Sequence, residues 1–174
     1  SEPTVFFEYA YDTSRLAREE GLYNVFVTNG FIEETPLREI EPYLDGCNLD
    51  LKSFSDEFYR SLAGAGLERV LENIKLIKEL GIWLEITTLI IPGLNDSEEE
   101  LGEIAGFIAD IDPSIPWHIS RFRPAYRMKD RSATPIEKMR SAKKAGEEAG
   151  LKHIYMGNVP GNSEDTSCPD WGKK

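Results

Sequence analysis

Residues 81–93 read Gly-Ile-Trp-Leu-Glu-Ile-Thr-Thr-Leu-Ile-Ile-Pro-Gly, and they decide the fold class. Ile82 to Ile91 is the strongest strand signal in the chain, apolar and rich in β-branched residues, and Pro92-Gly93 closes it. Upstream, Leu67, Val70, Leu71, Ile74, Ile77 and Leu80 keep the helical period, so 67–80 is expected to be a helix stopped at Gly81. Downstream, Asn95-Asp96-Ser97-Glu98 reads as a helix start, with acids through Glu100 at the positive end of the dipole, and that helix runs to about Ile111. Helix, strand, turn and helix in that order make a unit of an α/β protein.

The same alternation extends in both directions. Residues 4–20 read as a helix with Phe7, Tyr11 and Leu16 on its apolar side and Gly21 as its stop. Tyr23 to Thr28 is a strand ended by Asn29-Gly30, and Thr35-Pro36 opens a helix to about Leu44 that Pro42 interrupts. Cys47 to Lys52 and Trp117 to Phe122 are further strands, 135–149 a further helix, and His153 to Met156 a last strand. After Gly157 the composition turns to Gly, Asn, Ser, Asp and Pro, so the expected division is a core over 1–157 and a tail over 158–174. Parallel strands joined by right-handed helical crossovers follow from this order. A standard closed barrel needs eight strands, and fewer are visible. The expected fold is therefore a partial (β/α) barrel.

Composition narrows the function. The chain has 174 residues, 40% hydrophobic and 29% charged, with 20 Lys+Arg against 31 Asp+Glu and a formal charge of −11. That is enough apolar material for a core, and a field of that sign disfavours nucleic acid and acidic membrane surfaces. Two cysteines, Cys47 and Cys168, exclude a disulfide framework and point to a reducing, cytoplasmic setting. No apolar run approaches the roughly 20 residues a bilayer span needs. The opening Ser-Glu-Pro-Thr has no basic n-region and no initiator Met, so a fragment of a longer protein without a signal peptide is expected.

In parallel α/β folds chemistry sits at the carboxyl ends of the strands. Asp50 and Lys52 are two apart and share a face with Asn48. They form either an ion pair closing the strand end or an acceptor and a cation offered to a zwitterionic ligand. Asn29-Gly30 and Pro92-Gly93 are either plain turns or backbone donors near a ligand. Glu2 is either a ligand-binding carboxylate or an acid at a helix N-terminus. Arg121, Arg123, Arg127, Lys129 and Arg131 reverse the local charge, as for an anion or an acidic partner surface, or as a solvated loop. His118 and His153 are isolated within strands and read as structural, and Cys47 as a small buried hydrophobe. Cys168 has Trp171 where a Cys-x-x-Cys would place its second thiol, so no metal site is read there. No Gly-x-Gly-x-x-Gly or Gly-x-x-x-x-Gly-Lys is present, which lowers a phosphate-binding enzyme.

In order, Glu-Pro-Thr at 2–4, Gly-Leu-Tyr-Asn-Val-Phe-Val-Thr-Asn-Gly at 21–30, Asn-Leu-Asp-Leu-Lys at 48–52, Ile-Pro-Gly-Leu-Asn-Asp at 91–96 and Trp-His-Ile-Ser-Arg-Phe at 117–122 closely resemble the radical S-adenosylmethionine (SAM) enzymes. Within these the chain resembles the pyruvate formate-lyase activating enzymes and the AmmeMemoRadiSam system radical SAM enzymes, over residues 1 to about 171. The resemblance implies a TIM-barrel-like partial barrel with SAM and a 4Fe-4S cluster as cofactors. It implies the making of a deoxyadenosyl radical for hydrogen abstraction, and a protein substrate such as a glycyl-radical enzyme. The family's Cys-x-x-x-Cys-x-x-Cys is not in this sequence, so the first unit and the cluster thiolates are expected upstream of Ser1, and the chain alone is expected to be inactive.

The resemblance further implies that Glu2 meets the SAM amino group and that Asp50 and Lys52 contact its polar groups. Asn29, Asn95 and Arg123 complete the implied SAM-binding set, no catalytic residue and no metal ligand being assigned. Activating enzymes carry Asp at the position of Val27 and His at that of Arg123; Arg stacks on a purine but is no neutral acceptor, so that contact would be remade. A different class remains as the alternative, a non-catalytic α/β module docking an acidic partner through 121–131. The strand Tyr23 to Thr28 is expected near an unpaired edge, leading to a homodimer along it or to coverage by the helix at 4–20.

Overall fold

The computed structural model describes residues 2–161, 165 and 166. Five strands, β1 (Val25–Thr28), β2 (Gly46–Asp50), β3 (Trp83–Ile90), β4 (Trp117–Arg121) and β5 (Ile154–Gly157), form one sheet in chain order. Every adjacent pair is parallel, and β1 and β5 are the edges. The helices are α1 (Phe7–Glu19), α2 (Glu34–Ile40), α3 (Asp56–Phe58), α4 (Leu67–Glu79), α5 (Glu98–Ile111) and α6 (Ile136–Glu148). The parallel α/β order is the one the alternation of elements predicts, and the five-stranded open sheet agrees with the expected partial barrel. Among the described residues no helix is long and apolar enough to cross a membrane.

Burial alternates strictly along β1 and β3 and largely so along β2 and β4. Phe26, Leu49, Leu84, Ile86, Ile90, Trp117 and Ile119 turn toward the helices and meet Ile40, Val70, Ile74, Leu101, Ile104 and Met139 in the core. The intervening residues, Asn48, Glu85, Thr87, His118 and Ser120 among them, face the other way and stay partly exposed. A flat parallel sheet is covered by helices on both sides. Here one face carries the helices and the other is the concave inside of an open barrel wall, where polar residues stand among the exposed Val25, Val27, Trp83 and Leu89.

Three local details add to the sequence reading. Pro42 ends α2 early: the chain leaves the α-helix after Ile40 and makes a single 3-10 turn, Glu41–Tyr43, because proline offers no N–H to the preceding turn. Within the expected start at Asn95-Asp96-Ser97-Glu98, Ser97 caps α5, its Oγ accepting from Glu100 N at 3.2 Å. Residues 53–66, which carry no periodic signal, hold α3 and a π-helical turn, Tyr59–Ala63, that brings Tyr59 into the core at 1% exposure.

Candidate functional site at the carboxyl rim

Glu2 lies at the carboxyl end of β1. Its Oε1 accepts from Thr28 Oγ1 at 2.6 Å and from Thr4 Oγ1 and N at 3.0 and 3.3 Å, while Oε2 accepts from Asn29 N at 2.7 Å. Partial burial pushes this carboxyl up, but the hydrogen bonds from Thr28, Asn29 and Thr4 outweigh it and hold the group below its ordinary value. An ionised carboxylate is thereby fixed at the rim, with acceptor capacity left on Oε2. Asn29 itself turns its side chain onto Phe31 N at 2.8 Å, so the Asn29-Gly30 turn meets Glu2 through its backbone.

Asp50 ends β2, and Lys52 follows it outside the strand. The two form an ion pair at 2.6 Å with side chains 37% and 36% exposed, accessible enough to exchange partners. The Lys52 backbone is held from two sides: its N–H donates to Tyr59 Oη at 3.0 Å and its carbonyl accepts from Asn95 Nδ2 at 2.6 Å. Burial pushes the Tyr59 hydroxyl up to about 12, so it stays protonated. Asn95 is fully buried; its amide also donates to Leu89 O at 2.8 Å and accepts from Ile91 N at 2.7 Å. Its side chain is thus spent tying the β3 exit to the β2 exit.

Arg123 leaves the same end of the sheet two residues past β4, with its side chain exposed. Glu2, Asn29, Asp50, Lys52, Asn95 and Arg123 therefore all stand on the carboxyl side of the sheet, in two bonded groups, Glu2 with Asn29 and Asp50 with Lys52 and Asn95, and with Arg123 apart. In the basic segment, Arg121 Nε donates to Thr134 O at 2.6 Å and Arg131 Nη1 to Pro92 O at 2.9 Å, so one cation holds the loop's own backbone and another the turn after β3. Val27 is 66% exposed and paired in register with Asn48, and places no carboxylate there.

The sequence reading missed the pairing of Glu85 with His118, whose carboxylate and ring lie 2.9 Å apart on the concave face. Glu85 and Thr87 alternate with Leu84 and Ile86, and His118 and Ser120 with Trp117 and Ile119. That period of two signals a polar face, though not which strand each residue would meet.

Cys47 is buried, and burial with the charge of Glu2 pushes its thiol up to about 12, as expected of an inert small hydrophobe. Among the described residues no three His, Cys, Asp or Glu side chains converge to hold a metal ion. Cys168, Trp171 and most of the segment read as a tail lie outside the described residues.

A family model described as the radical SAM superfamily matches residues 1–107, and the chain belongs to that superfamily. An uncharacterized protein of Methanocaldococcus jannaschii is 47% identical over 174 residues, 99% of this chain and 51% of that protein. The isethionate sulfite-lyase activating enzyme of Oleidesulfovibrio alaskensis is 28% identical over 67% of this chain and 40% of its own length. For the pyruvate formate-lyase 1-activating enzyme of Escherichia coli the identity is 27%, over 60% of this chain and 43% of that enzyme. The chain thus spans about half the length, or less, of these relatives. A solved domain of pyruvate-formate lyase-activating enzyme from Bacteroides vulgatus superposes with a TM-score of 0.79 at 19% identity, over 91% of this chain and 95% of that one. Streptococcus suis SuiB bound to S-adenosylmethionine gives 0.73 at 14% identity, over 92% and 38%. At such identities the likeness is one of fold, that of the radical SAM barrel wall.

Proposed function

We propose that the carboxyl rim is the SAM-binding surface of an activating-enzyme-like radical SAM protein whose substrate is another protein. One observation carries this: a fixed ionised carboxylate, Glu2, and an exchangeable ion pair, Asp50–Lys52, stand on neighbouring strand exits of a superfamily member. The methionine end of SAM is a zwitterion and needs an acceptor for its ammonium and a cation for its carboxylate. Glu2 Oε2 supplies the first. Lys52 supplies the second by releasing Asp50, which then faces the positive part of the ligand. When bound in such enzymes, SAM supplies a carbon radical that abstracts hydrogen, and the protein's share is placement and exclusion of water.

The iron–sulfur cluster implied by the superfamily needs thiolates. A buried Cys47 with its thiol pushed up to about 12 is not one, so the described residues do not fit the cluster and the role of the rim is stated without it. The names of the activating-enzyme relatives support a protein substrate. Docking of an acidic partner on 121–131 has less behind it, since Arg121 and Arg131 are already held by carbonyls.

Calorimetric titration of SAM into the chain tests the reading. Saturable binding is expected, weakened about tenfold in Lys52→Ala, the usual worth of a charge-assisted contact. SAM bound equally well by Lys52→Ala and the unaltered chain would remove the rim assignment.

A further inference from the structure

The concave face holds a second constellation that the rim does not use. Glu85 Oε2 on β3 and His118 Nε2 on β4 are 2.9 Å apart. Trp83 Nε1 donates to Glu85 Oε1 at 3.2 Å, and Asn48 Nδ2 to Oε2 at 3.4 Å. Thr87 Oγ1 donates to Asn48 Oδ1 at 2.7 Å, which orients that amide toward the carboxylate. Tyr155 stacks on the imidazole, ring centroids 5.1 Å apart and planes at 25°. These six side chains line a hollow of about 690 Å³.

The protonation of the pair follows from its partners. Partial burial pushes the Glu85 carboxyl up, yet the hydrogen bonds from Trp83 and His118 prevail and hold it below its ordinary value. An ionised carboxylate only accepts, so the shared proton sits on His118 Nε2. Among the described residues the hollow's lining has one carboxylate, Glu85, and no Lys or Arg.

A face meant only for apolar packing would leave this carboxylate desolvated, at a cost of several kcal/mol. The helix side of the same strands shows what such packing looks like: Leu84, Ile86, Trp117 and Ile119, none more than 4% exposed. The concave side is built differently, for a polar occupant.

We propose that Glu85 and His118 form a binding site for an organic cation bearing N–H donors, a primary ammonium or guanidinium group of a substrate, in the hollow on the concave face. Its N–H groups meet Glu85 Oε1 beside His118, and the rings of Trp83 and Tyr155 flank the charge. Glu85 repels carboxylates and phosphates from the same place. The site rests on the concave-face geometry alone and stands whether or not the rim holds SAM.

The test follows the His118 ring signals by NMR in the chain while n-butylammonium is added, with tetramethylammonium and acetate as controls. Saturable shifts are expected with n-butylammonium, with affinity reduced about tenfold in Glu85→Gln and for tetramethylammonium, which has no N–H to donate. The assignment fails if acetate binds as well or if Glu85→Gln binds as tightly. Should Glu85→Gln not fold, the two control ions on the unaltered chain decide alone.

Discussion

Asn95 shows how one residue changes meaning between sequence and structure. In the sequence, Asn95-Asp96-Ser97-Glu98 reads as a helix start; in the fold Ser97 takes the cap and Asn95 turns inward. Its amide serves Lys52 O, Leu89 O and Ile91 N, three backbone groups at a strand exit. Asn95→Ala removes all three bonds at once. Each orphaned buried group costs about 1–3 kcal/mol, partly relieved by water, so a loss of about 3 kcal/mol is expected in urea unfolding. A loss below about 1 kcal/mol would mean that the two strand exits are not tied through this amide. Glu2 is the companion case: its bonds to Thr28 and Asn29 span the chain start and the end of β1, a pairing that no local pattern announces.

Among the elements, α5 and α6 give a clean contrast in what a methyl group does. Gly102 in α5 has nothing within 4 Å of where a Cβ would sit, so Gly102→Ala gains helix propensity and should stabilise by about 0.5–1 kcal/mol. Gly146 in α6 is different: a Cβ there would lie 2.7 Å from Ile154 Cδ1 and 3.1 Å from Trp117 Cε3. Overpacking of that kind costs about 1–3 kcal/mol and exceeds the same propensity gain, so Gly146→Ala should destabilise by about 1 kcal/mol. Thermal unfolding of the two variants should move in opposite directions. If both rise together, α6 does not sit on β4 and β5 as closely as described. The elements that the sequence made plain, α4 and β3 above all, are those with an uninterrupted period; 53–66 had none, and its α3 and π turn follow from where Tyr59 must go to reach the core.

At the scale of the whole molecule, β1 is one edge of the sheet and has no second strand beside it among the described residues. Tyr23, Val25 and Val27 are 84%, 62% and 66% exposed, and α1 packs near the 3-10 turn at Glu41–Tyr43 without covering them. Exposed edge strands of β-branched and aromatic residues recruit a further strand. Sedimentation of the chain at rising concentration should therefore show self-association, and Val27→Lys, which sets a charge on that edge, should suppress it. A chain that stays monomeric throughout would show that the edge is masked by other means.

Local periodicity in the sequence determined the element types and their order, and with them a parallel α/β wall whose polar residues crowd the strand exits. Resemblance of motif order pointed to the superfamily that the family match then showed. Both are legible in one dimension because they depend on neighbours a few residues apart. Only the tertiary structure decided which polar groups meet. The period of two places Glu85 and His118 each on a face, but their contact spans 33 residues and depends on the register of β3 against β4, which packing of the opposite, apolar face sets. Likewise Glu2 and Thr28 meet across 26 residues, and the Asn95 amide reaches Lys52 across 43. Long-range register is a property of the folded core, so the two sites became visible only once that core fixed how the strands align.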